Sequence, residues 1–83
     1  MNSVPYNNEA EQSLIGSVFL DNRVMLDIID KVYPEDFYQT RHQILFKAIL
    51  ELNEEGKRID ITTVTTKLKN KNQYLEVGGL EYL

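Results

Sequence analysis

The sequence predicts an all-α domain, a small orthogonal bundle of about four to five helices, and three observations lead there. Apolar residues recur at three- and four-residue spacing through most of the 83 residues. Alternation of the kind a half-buried strand needs never runs beyond four residues, IDITTV being the one ambiguous stretch. Finally, the segment from Pro34 to Val64 reads as stop, start, long helix, stop and restart without a gap.

The first helix is expected from Glu9 to about Leu20. Asn8 stands as its N-cap, Glu11 lies three positions on in a capping-box-like pattern, and Ala10, Leu14, Ile15, Val18 and Phe19 form its apolar stripe. Asp21 or Asn22 then caps a second helix reaching about Val32, with Val24, Met25, Ile28, Ile29 and Val32 on one face. Pro34 cannot continue it, because its ring lacks an amide proton and biases Tyr33 away from helical angles.

A third helix is expected from about Thr40 to Glu55, since that run holds strong helix formers and no Gly or Pro, and Gly56 follows as a left-handed stop. On a helical wheel Ile44, Leu45, Ala48, Ile49 and Leu52 fill an arc of about 140°, which Phe46 and Leu50 widen to about 240°. So wide an arc fits a central helix packed on two sides; alternatively Phe46 and Leu50 belong to a partner-binding flank. Asp60, Thr62 and Thr63 are candidate caps for a fourth helix, from about Thr62 to Lys71, with Ile61, Val64 and Leu68 as its seam. After a polar break at residues 70–73, the chain offers a short apolar element, a Gly78-Gly79 turn and the first turn of a further helix.

This length suffices for one domain burying about 60 to 65% of its chain surface. Residues 1–8 are expected as a flexible arm and 9–83 as the domain. A 42% hydrophobic and 27% charged composition argues against disorder, and the apolar runs fall far short of a bilayer span. MNSVPYNNEAEQ lacks a signal-peptide pattern, so a cytoplasmic location is expected. With no cysteine, disulfides, thiol chemistry and Cys-based zinc sites are excluded. The net charge of −4 weighs against a nucleic-acid grip, and Lys67 and Lys71, one turn apart, read as a solvated helix face.

Reactive groups are sparse. There is one histidine and no G-x-x-x-x-G-K-[ST] phosphate loop, so no catalytic, cofactor-binding or metal residue is assigned. Glu54 and Glu55 read as solvated charges at a helix end, and Glu9 with Glu11 as favourable to a helix dipole. Glu11, however, falls angularly between Leu14 and Ile15, while Arg41 and His42 flank the start of the buried arc of the third helix. A structural polar pair is expected in which Glu11 reaches Arg41 or His42 and pins the first helix to the third. Tyr33, Phe37 and Tyr38 are expected to fold the corner around Pro34 against the bundle.

NNEAEQSLIGSVFLD, PEDFYQTRHQILFKAILELNEEGKRIDITTVTTKL and LEVGGLEYL together resemble, in order and spacing, the N-terminal domain of bacterial hexameric replicative helicases of the DnaB type. The resemblance covers Glu9 to Leu83, and its five blocks are each weak and jointly specific. It implies an all-helical, non-catalytic domain serving ring assembly and primase docking in a parent that unwinds duplex DNA in the primosome. In that parent a RecA-like motor domain, absent here, binds ATP and Mg2+ and handles DNA. The implied partners are the primase C-terminal domain, other helicase subunits and, in some species, a loader. The family's helical hairpin, with the dimerising and much of the primase-contacting surface, is expected beyond residue 83. Phe46, Glu76 and Tyr82 stand as partner-contact candidates. Two readings compete: a free-standing DNA-binding domain with Lys67 and Lys71 of the fourth helix on phosphate, and a short regulatory protein that mimics the helicase domain.

Overall fold

The computed structural model describes residues 8–80. Four α-helices follow one another: α1 (Asn8–Leu20), α2 (Val24–Ile28), α3 (Thr40–Glu54) and α4 (Ile61–Asn70), with a single 3-10 turn, Pro34–Asp36, between α2 and α3. The arm expected over residues 1–8 lies outside the described residues except for Asn8, the first residue of α1. The further helix expected after Gly79 lies largely outside them too.

Helix α3 is the axis of the domain. Leu45, Phe46, Ala48, Ile49 and Leu52 are all buried, because α1 and the 3-10 turn cover one side of it and α4 covers the other. The partner-facing reading of Phe46 is therefore corrected. Its side chain is fully buried, with its ring centroid 5.1 Å from that of Phe37, so an arc too wide for a surface helix is here explained by packing on two sides. Leu50, on the same flank, is half-buried against the core.

Helix α2 is shorter than its apolar pattern suggests. Both Lys31 and Val32 donate their amides to the Ile28 carbonyl, which turns the chain, and Tyr33 is extended (φ −121°, ψ 156°) as the residue before a proline must be. Val32 still packs on the core from this turn, whereas Ile29 is left 36% exposed.

Two helices end in the same hydrogen-bonded stop. After α3, Gly56 (φ 71°) lets its own amide reach Asn53 and the Lys57 amide reach Leu52; after α4, Asn72 (φ 58°) does the same toward Lys69, with the Gln73 amide on Leu68. Helix α4 starts at Asp60, whose carboxylate accepts from the Thr63 amide at 2.8 Å while the Thr63 hydroxyl bonds back to the Asp60 amide at 3.0 Å. That backbone hydrogen bond holds the Asp60 carboxyl below the ordinary aspartate value. IDITTV is thus a cap and a helical turn rather than a strand. The expected seam shifts accordingly: Val64 and Leu68 are buried with Ile59, and Ile61 is 48% exposed because it precedes them on the outer side of the first turn.

Lys67 and Lys71 do not form a free solvated face. Their ammonium groups bond across to Glu55 at 2.6 Å and Glu51 at 2.9 Å, clamping α4 along α3. Glu55 is likewise paired rather than merely solvated, and the Lys67 hydrogen bond lowers its carboxyl from the usual value. No helix of the described residues is long and apolar enough to cross a membrane.

Because Phe46 is core, Phe46→Ala lowers the unfolding free energy of the chain by about 3 to 5 kcal/mol in urea titrations. A loss below about 1 kcal/mol would return it to the surface.

Candidate interaction site

Helix α3 begins without a cap of its own. Its N-cap residue, Gln39, makes no side-chain capping bond, and its first turn carries no acidic residue to meet the partial positive charge of the helix start. Glu11, from the middle of α1, supplies both. One carboxylate oxygen accepts the Tyr38 amide at 2.6 Å; the other accepts the Gln39 amide at 3.3 Å and lies 2.7 Å from Nδ1 of His42. A carboxylate only accepts, so the His42 proton in this contact sits on Nδ1. The Glu11 and His42 side chains are 1% and 0% exposed.

Of the two partners expected for Glu11, the structure places its carboxylate on His42, whereas the Arg41 guanidinium reaches Asn8 Oδ1 at 3.3 Å. Glu11 is not the near half of a capping box on its own helix, because both of its oxygens point to α3. The Pro34 corner completes the arrangement. Asp36 Oδ2 accepts the Tyr33 amide at 2.9 Å, Gln43 donates to the Phe37 carbonyl at 2.7 Å, and the Phe37 ring lies edge-on to His42 with centroids 6.4 Å apart. Phe37 is buried there, while Tyr33 and Tyr38 are 48% and 64% exposed. A shallow apolar cleft remains beside this cluster, bounded by Ala10, Leu14, Val32 and Phe37.

A second tie was not visible in the sequence. The side-chain amide of Asn22 donates to the Val18 and Ile59 carbonyls and accepts the Ile59 amide, each at 2.8 Å. One asparagine therefore treats Ile59 as a strand neighbour would, and fastens the end of α1 to the segment that enters α4. The sequence offers Asn22 only as a helix cap, and nothing local signals a partner 37 residues away.

These contacts are structural in character. Glu11 is consumed by three donors, and among the described residues no group of three or more His, Asp or Glu side chains gathers as a metal site requires. What the domain offers a partner is its surface: Leu20 and Leu75 are each 90% exposed, Leu26 78%, and Glu76 is exposed in the turn before buried Val77. Tyr82 lies outside the described residues.

The class that the fold defines is a small all-helical module, tied at its corners by buried polar side chains. The model of the family described as DnaB-like helicase N-terminal domain matches residues 3–83, and the chain belongs to that family. It is 40% identical over 79 residues to the replicative DNA helicase DnaB of Geobacillus stearothermophilus and 39% identical over 79 residues to the replicative DNA helicase DnaC of Bacillus subtilis strain 168. Each match takes 95% of this chain and 17% of the relative, so the chain spans about a sixth of their length. Among solved structures, the N-terminal domain of DnaB helicase from Mycobacterium tuberculosis superposes with a TM-score of 0.89 at 33% identity, covering 94% of this chain and 56% of that one.

Glu11→Ala leaves buried donors without their acceptor and costs about 3 kcal/mol or more at neutral pH, read by thermal or urea unfolding. A variant melting with the parent would show that the pairing has no energetic role.

Proposed function

We propose that this domain serves ring assembly and primase docking as the N-terminal module of a replicative DNA helicase. It is itself non-catalytic, and the parent acts in the bacterial cytoplasm. In that parent a motor domain binds ATP and Mg2+, tracks DNA and unwinds the duplex at the fork. The N-terminal modules hold subunits together and present a surface to the primase C-terminal domain, with a loader as a further partner in some species. The observation that carries this reading is the family match over residues 3–83 together with 40% identity to a replicative helicase along nearly the whole chain.

The surface chemistry supports a protein partner over nucleic acid. The two lysines that a DNA-reading α4 would turn to phosphate are engaged by Glu55 and Glu51, and the chain carries a net charge of −4. A phosphate contact would first have to break those pairs, and phosphate contacts supply most of the affinity for DNA.

The test is made on the product of the complete reading frame. It is expected to carry a P-loop, to hydrolyse ATP, and to be stimulated by the purified primase C-terminal domain; deleting residues 1–83 should keep the ATPase and lower that stimulation by about tenfold or more. A frame that ends without a P-loop, or stimulation that survives the deletion unchanged, contradicts the proposal.

A further inference from the structure

We draw no further inference here: the strongest candidate, the outward apolar patch of Leu26, Ile29 and Tyr33 on α2 and the turn after it, carries nothing, because nothing in the structure shows what covers it and the exposed charges around it, Arg23, Asp27, Asp30 and Lys31, are of both signs.

Discussion

Helix α3 must be entered by a chain that turns through a proline corner, and its exposed amides and the positive end of its dipole have to be met by something. The residue that meets them belongs to another helix. Glu11 takes the Tyr38 and Gln39 amides and the His42 ring in one carboxylate, inside a region from which water is excluded. Charge-assisted bonds of this kind are short and strong where water cannot compete, and removing their acceptor is costly. The geometry of the rest follows from it. Fixing Tyr38 sets the position of Phe37, which packs on Phe46, and fixing His42 sets the rotation of α3 that turns Leu45, Ile49 and Leu52 inward.

The opposite end of α1 is held by the same device in neutral form. Asn22 satisfies both backbone groups of Ile59 and so joins the end of α1 to the entry of α4, while Lys67 and Lys71 run along α3 to Glu55 and Glu51. The buried ties specify angle and register, and the more exposed lysine pairs add little energy. The sequence blocks on which the resemblance to the helicase family was drawn fall on these joints. The EAE of α1, the PEDFY corner, His42 with Phe46, and the GKRID link each supply a tie, a plug or a cap.

Much of this was legible in the sequence, for physical reasons that can be named. Helices α1, α3 and α4 showed their 3.6-residue period, and their ends showed Gly56 and Asp60. The closeness of Glu11 to the start of α3 was readable because a carboxylate inside an apolar stripe needs a partner, and α3 offered Arg41 and His42 at the mouth of its own arc. Its bonds to two backbone amides were not readable, since main-chain donors leave no mark in a sequence. Helix α2 was overextended because Val32 keeps the helical spacing while packing from a turn. Ile61 left its expected seam, and Phe46 followed the doubly packed reading rather than the partner-facing one, for a single reason: periodicity reports which face a residue is on, and only packing decides which face is covered. Asn22 stayed hidden because its partner is remote and is again backbone.

The central claim is that the Glu11 carboxylate anchors the start of α3. Amide hydrogen exchange at Tyr38, followed by NMR in the parent chain and in Glu11→Gln, tests it most directly. Tyr38 precedes α3 and makes no helical hydrogen bond, so an amide exchanging as slowly as those of Leu45 and Phe46, and accelerated by about tenfold or more in the variant, is the result expected. A Tyr38 amide that exchanges in the parent as fast as an open loop would contradict it.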